Sequence, residues 1–291
     1  MTINYVVVPQ WQGSGSSRAM QLVDGAESIR GDLPSASTRT VDIPLEAGDH
    51  QGTGVHRYSS LLLVRDRLRH ALAEGTEAGV DTHVTIGGDC GVELAAIEHV
   101  SASEPAVVWL DAHPDLHTAA TSPSGAFTGM VLRTLLGDGP SELVPAHPVR
   151  GDRVILAGVR SIDTAEDDYI GQSGIRMLGP TDFSAETLLD AIAATGADSV
   201  YLHIDLDVLD PADFAGLGSP VPFGIEAAVL VEAIRAVVGK YALAGAGITE
   251  FAPASMTSAV DDSPTILRLL GALNSAGRYS RGSSATSTET E

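Results

Sequence analysis

Asp111, His113 and Asp115 alternate in the run Asp111-Ala112-His113-Pro114-Asp115, directly after the apolar stretch 107–110. In an extended chain, side chains two apart share a face, so two carboxylates and the imidazole between them point the same way. Pro114 keeps His113 extended rather than helical. A second run, His203-Ile204-Asp205-Leu206-Asp207, follows another apolar stretch and puts Asp205 and Asp207 on one face by the same period, with Pro211 close behind. Neither run contains a Lys or Arg, and buried carboxylates need a counter-charge. An arginine from elsewhere in the fold or a divalent metal would supply it, and an imidazole among the oxygens favours metal. A third motif, Gly87-Gly88-Asp89-Cys90-Gly91, allows a tight strand-to-helix turn. Cys90 then lies near a helix N-terminus, where the dipole favours a thiolate; it reads equally as a small buried residue in a glycine-rich turn.

The elements that must position these groups are short apolar runs alternating with amphipathic segments. Strands are expected at 5–8, 83–86, 106–110, 153–157, 199–204 and 243–248, and helices at 58–73, 92–100, 185–194 and 225–238. This alternation predicts an α/β fold, a three-layer αβα sandwich around a central, mostly parallel sheet. In such sheets ligands bind outside the carboxyl ends of the strands, which is where the polar runs stand. One domain over 1–275 is expected, with a disordered tail at 276–291, because residues 280–291 are nearly all Ser, Thr, Gly and Glu.

The formal net charge of −21 disfavours nucleic acid and anionic membranes as partners. The single cysteine excludes an internal disulfide. No apolar run reaches the about 18 residues of a membrane helix. Residues 1–8 lack a positively charged stretch ahead of their apolar run, so they read as a first strand rather than a secretory signal, and a cytoplasmic protein is expected.

Taken in order, Gly87-Gly88-Asp89-Cys90, Asp111 to Asp115, Ser122-Pro123-Ser124-Gly125, Gly158 to Asp163, Asp205 to Pro211 and Thr249 to Pro253 resemble the ureohydrolases, the family of arginase, agmatinase and formiminoglutamase. The resemblance covers about residues 84–255; the first 80 residues carry little of it. It implies a homo-oligomer, commonly a trimer or hexamer, and a hydrolase that cleaves the guanidino or amidino group of a small molecule such as arginine, hydroxyarginine or agmatine, releasing urea or hydroxyurea. It also implies two metal ions, usually Mn²⁺, about 3.5 Å apart. By resemblance, Cys90, Asp111, Asp115 and Asp205 hold one, and Asp111, His113, Asp205 and Asp207 the other. Asp115 would bond the nucleophilic hydroxide and pass a proton to the leaving amine, and Glu250 would orient the guanidinium. Without the motif, Glu250 reads as a helix cap or surface ion pair.

Ser124 and Asp163 match residues that contact the far end of the substrate, and both also read as turn caps. The sequence departs from the family at three positions. Cys90 replaces the usual His, as in relatives resembling the hydroxyarginine hydrolase, and its softer sulfur shifts preference towards Zn²⁺ or Fe²⁺. Thr128 replaces a His that shuttles protons to solvent. Thr cannot titrate near neutrality, so turnover is slower or the substrate, a hydroxyguanidine for example, supplies a better leaving group. His117 stands in place of Asn, which puts recognition of an α-carboxylate in doubt. His203 is expected to support the ligands from behind or to fill the core, and the remaining histidines (His50, His56, His70, His83, His99, His147) show no partner spacing. Two other readings are a single-zinc deacetylase-like amidohydrolase and a non-catalytic relative that binds a ligand.

Overall fold

The computed structural model describes residues 2–275; the tail expected at 276–291 lies outside them. All six expected strands form, as β1 (Ile3–Val8), β3 (Thr82–Gly87), β4 (Ala106–Leu110), β5 (Val154–Ala157), β7 (Ser199–Asp205) and β8 (Ala242–Thr249). Two three-residue strands, β2 (Thr38–Thr40) and β6 (Arg176–Leu178), complete the sheet at its two edges. The order is β2-β1-β3-β8-β7-β4-β5-β6, and every pairing is parallel, so the expected mostly parallel sheet is wholly so.

Parallel strands joined by crossovers force helices onto both faces. The four expected helices form as α2 (Tyr58–Glu77), α3 (Glu93–Ser101), α6 (Ala185–Thr195) and α7 (Ala227–Lys240). They are joined by α1 (Met20–Asp32), α4 (Val131–Leu135), α5 (Thr164–Ser173) and α8 (Met256–Leu273). On one face Val108, Leu110, Leu202 and Ile204 pack against Ala26 and Ile29 of α1, Leu230 and Ile234 of α7 and Leu269 of α8. On the other, Val107, Trp109 and Leu156 pack against Leu61 of α2, Leu94 and Ile97 of α3 and Leu132 of α4. Central strands therefore alternate between two apolar layers, and a polar residue within them, such as His203 of β7 or Thr85 of β3, is fully buried.

Among the described residues no helix is long and apolar enough to cross a membrane.

One buried histidine gives the fold a pH response. His83 on β3 packs edge-on against His99, with ring centroids 5.5 Å apart, and shares Thr76 with it. Burial, reinforced by His99, pushes the His83 pKa down from 6.5 to about 4. A histidine held neutral in the fold contributes its stability above the unfolded pKa, and that contribution drains away as pH falls from about 6.5 towards 4. His83→Gln should flatten this limb, so that wild type loses about 3–6 °C more Tm than the variant over that interval. Parallel Tm–pH curves for the two proteins would remove His83 as the cause.

Candidate active site

Strand register brings the acidic runs together. Leu110 of β4 pairs with Ile204 of β7, so Asp111 and Asp205 emerge side by side one residue later. Asp205 in turn pairs with Thr249 of β8, and the Glu250 N–H donates to the Gly88 carbonyl at 2.8 Å. Four neighbouring strand ends, those of β3, β8, β7 and β4, thus present Cys90, Glu250, Asp205–Asp207 and Asp111–Asp115 around one cavity of about 580 Å³.

Local bonds then aim each group. The His113 N–H donates to Asp111 Oδ1 at 2.6 Å, the Ala112 N–H to Asp207 Oδ1 at 3.0 Å, and the Asp207 N–H to Asp205 Oδ1 at 2.9 Å. His113 Nδ1 lies 3.0 Å from Asp207 Oδ2 and 3.5 Å from Asp111 Oδ1. The Cys90 thiol points at Asp115 Oδ2, 3.4 Å away, and the Cys90 N–H donates to Glu250 Oε1 at 3.1 Å. Asp115 and Glu250 are both left-handed, at φ 51° and 63°. For non-glycine residues this is uncommon enough to mark a site where geometry outranks local comfort. Asp89 anchors the assembly from below: fully buried, it accepts from Gln10 Nε2, Gly13 N and Gly91 N. Gly88 must lack a side chain there, because a Cβ would sit 2.0 Å from the Gln10 carbonyl oxygen.

The electrostatics are those of crowded, buried anions. Burial, then Asp207 and Asp111, raises Asp205 well above the usual carboxylate range, and burial with Asp111 does the same to Asp115. Burial and the Asp111 charge also lift Asp207, and burial with Asp89 lifts Glu250 far more. Asp111 goes the other way: burial would raise it, but contacts with His113 and His203 outweigh that and hold it well below the usual range. Burial likewise opposes a charged His113, yet Asp111 and Asp207 push it up to about 12. For Cys90 the outcome departs from the helix-dipole argument. Burial, together with Asp115, Glu250 and other carboxylates, drives its pKa well up, so the metal-free fold holds a thiol. Cys90 opens the three-residue turn Cys90–Val92 that leads straight into α3, and the helix dipole there does not offset burial and so many anions.

Arg160 approaches the cluster but does not neutralise it. Its guanidinium donates to main-chain carbonyls, among them those of Gly158, Asp207, Val221 and Pro222, rather than to carboxylates. Ligand-type atoms instead gather in sets lying within 4.8 Å of one another: Asp111, His113 and Asp207; Asp111, His203 and Asp205; and Cys90, Asp205 and Glu250. Carboxylate oxygens with two imidazoles and one sulfur suit divalent transition metals, so these donors fit such ions. Two groupings add to the sets implied by resemblance: Glu250 comes within ligating reach of Cys90, and His203 of Asp111.

The mouth of the cavity is lined by His117, Ser124, Thr128, Asp163 and Glu166. His117 Nε2 contacts Asp163 Oδ2 at 2.9 Å, with Glu166 Oε1 at 3.8 Å. Asp163 is also the N-cap of α5 in a capping box with Glu166, so its cap reading and its cavity position hold together. Ser124 Oγ accepts from the Ala126 N–H, and Thr128 presents its carbonyl to the Cys90 thiol at 3.5 Å. The sequence reading passed over Glu166, buried Glu93 and the loop of Ser14, Gly15 and Ser16. That loop follows β1, so the strand-end rule applied to the first strand would have found it.

Comparison with known proteins bears on this geometry. The arginase-family model matches residues 18–269. The chain belongs to the arginase family. Bacillus subtilis arginase is 38% identical over 156 residues, covering 49% of this chain and 52% of that protein. Bacillus caldovelox arginase is 36% identical over 185 residues, 55% of this chain and 61% of that one. The matched part thus spans about half to two thirds of these relatives. Among solved structures, Entamoeba histolytica arginase in complex with L-ornithine superposes with a TM-score of 0.81 at 25% identity, covering 94% of this chain and 98% of that one. The Streptomyces clavuligerus proclavaminate amidino hydrolase shares the fold at a TM-score of 0.68 and 21% identity, covering 96% and 92%. Membership of the arginase family agrees with the wholly parallel sheet and its strand-end cavity.

Proposed function

We propose that this arginase-family chain is a hydrolase that cleaves a guanidino or amidino C–N bond of a small molecule, using two divalent cations, Mn²⁺ in the first instance. The carrying observation is the convergence of Asp111, Asp115, Asp205 and Asp207 with His113 and Cys90 on one cavity, while Arg160 spends its donors on carbonyls. The donor assignment is Cys90, Asp111, Asp115 and Asp205 for one cation and Asp111, His113, Asp205 and Asp207 for the other, with Zn²⁺ or Fe²⁺ competing through Cys90. When bound, the cations supply Lewis acidity that brings the pKa of water from about 15.7 towards neutrality.

The chain's own groups do the rest. Glu250, held by the Cys90 N–H, offers a carboxylate to a planar cation and fixes the electrophilic carbon. Asp115, buried in the cavity wall beside the Cys90 thiol, stands where it can take a proton and return it to the departing amine. His117, Ser124, Thr128 and Asp163 stand at the mouth, where the substrate's tail would lie. Since Asp163 already pairs with His117, a substrate amine would have to compete for it.

Incubation of purified protein with Mn²⁺ and a panel of arginine, hydroxyarginine, agmatine and simpler amidines, followed by urea and hydroxyurea detection, tests the reading. Metal-dependent release from at least one compound is expected, at a stoichiometry near two ions per chain. One zinc per chain with amide hydrolysis instead would favour the deacetylase-like reading. Metal binding without turnover on any compound would favour a ligand-binding relative.

A further inference from the structure

Behind the cavity, on the side away from substrate, Asp111 has a second set of neighbours. Its Oδ2 accepts from Trp109 Nε1 at 3.1 Å and lies 3.6 Å from His203 Nε2. The other ring nitrogen, His203 Nδ1, is 3.5 Å from Glu93 Oε2 on α3. Glu93 and His203 are both completely buried, and neither lines the cavity. At these separations no short hydrogen bond closes around either side chain; the His203 imidazole stands between the Glu93 and Asp111 carboxylates and faces both, and the Tyr201 phenol also faces Glu93.

The surroundings are shaped to hold this pair. Gly247 of β8 leaves its backbone bare where the carboxylate rests: a Cβ there would lie 1.8 Å from Glu93 Oε1. The Trp109 ring covers the His203 imidazole, with centroids 3.7 Å apart and planes tilted by 32°, which leaves the ring little freedom to turn. Glu93 also sits in the first turn of α3, the end of a helix that favours an anion. An acidic residue in a first helical turn is ordinarily a solvent-facing one; here β7 and β8 close over it.

We propose that Glu93 and His203 are positioning residues of the metal centre, a buried carboxylate–imidazole pair that holds Asp111 from behind and sets how tightly the centre takes up its cations. The inference rests on reading the cavity as a metal centre. Its physical basis is competition. Asp111 is shared between the cations in front and the imidazole behind. With Glu93 in place, the imidazole divides its attraction between two carboxylates, and Asp111 keeps enough electron density for the metals. With Glu93 neutralised, the imidazole leans on Asp111 alone, draws it back and weakens its ligation. Partners that orient a ligating group in this way typically contribute 10–100-fold in metal affinity.

Titration of chelator-treated protein with Mn²⁺ in a calorimeter tests this without reference to turnover. Glu93→Gln should bind Mn²⁺ about 10–100-fold more weakly than wild type, with the KM for metal rising to match and KM for substrate changing far less. Glu93→Asp, which keeps the charge but retracts it, should fall between the two, and provides the reading if the glutamine variant does not fold. Gly247→Ala should lose affinity as Glu93→Gln does, because the new methyl displaces the carboxylate. If wild type binds two ions and the folded Glu93 variants bind them within twofold of wild type, the positioning role is overturned and the metal centre stands. If wild type itself binds none, the metal centre falls, and this inference with it.

Discussion

Loading the metal-free chain with Mn²⁺ at pH 8 should raise its Tm by on the order of 10 °C, and a chelator should reverse the gain. A ligand present at a thousand times its dissociation constant stabilises by about 4 kcal/mol, and in a chain of this size each kcal/mol moves Tm by about 2–4 °C. The gain should also depend on pH, in a direction that the site dictates. Burial and mutual repulsion raise Asp115, Asp205, Asp207 and Glu250 in the metal-free fold. Groups raised in this way give their full stability below the unfolded carboxylate range of about 3.9–4.3, and lose it as pH climbs through their folded values. Metal-free protein is therefore weakened at pH 8 relative to pH 5.5, and the cations remove most of that penalty. Binding must also expel protons, because His113 is held charged and Cys90 is held as a thiol before metal arrives. Both effects make the metal-induced shift larger at pH 8 than at pH 5.5. Equal shifts at the two pH values would contradict this electrostatic account; no shift at either, with less than one ion retained per chain, would remove the metal centre.

What could be read from sequence followed how strongly a segment was buried. The central strands are nearly continuous apolar runs because both their faces are covered, and so they were legible. Strands β2 and β6 were not: Thr38-Arg39-Thr40 and Arg176-Met177-Leu178 lie at the sheet's edges, bury no residue fully, and are three residues long, too short to show an apolar run. Helix α4 spans five residues, too few to show a period, and α5 buries only Glu166. The acidic residues were legible for the opposite reason, as they interrupt apolar runs where no solvent-facing purpose explains them. Glu93 carried no such mark. Its neighbours in sequence allow an exposed first-turn carboxylate, and only Gly247, some 150 residues away, shows that space was kept for it. Arg160 illustrates the converse. It has the charge that the carboxylates need, yet the turn geometry around 208–222 commits its donors to carbonyl oxygens.

Asp115→Asn should lower kcat by about 10²–10⁴-fold at saturating Mn²⁺, the usual cost of losing a positioned proton carrier. The substitution is unusually clean at this position. Asp115 is left-handed at φ 51°, a conformation that asparagine adopts as readily as aspartate, so the backbone bears no new strain. The amide keeps the volume of the carboxylate and can still accept from the Cys90 thiol, 3.4 Å from Oδ2. What it cannot do is take up a proton. One anionic donor is lost as well, so metal affinity should fall, and the comparison needs Mn²⁺ raised until both proteins hold the same number of ions. Under that condition the deficit should lie in kcat, with KM for the guanidino substrate little changed, because Glu250 and the mouth residues still bind it. A variant that carries a full metal complement and turns over within tenfold of wild type would show that the proton passes through another group. His117, the imidazole that lines the same cavity, is the group that outcome would point to, since the Thr128 side chain does not titrate near neutrality.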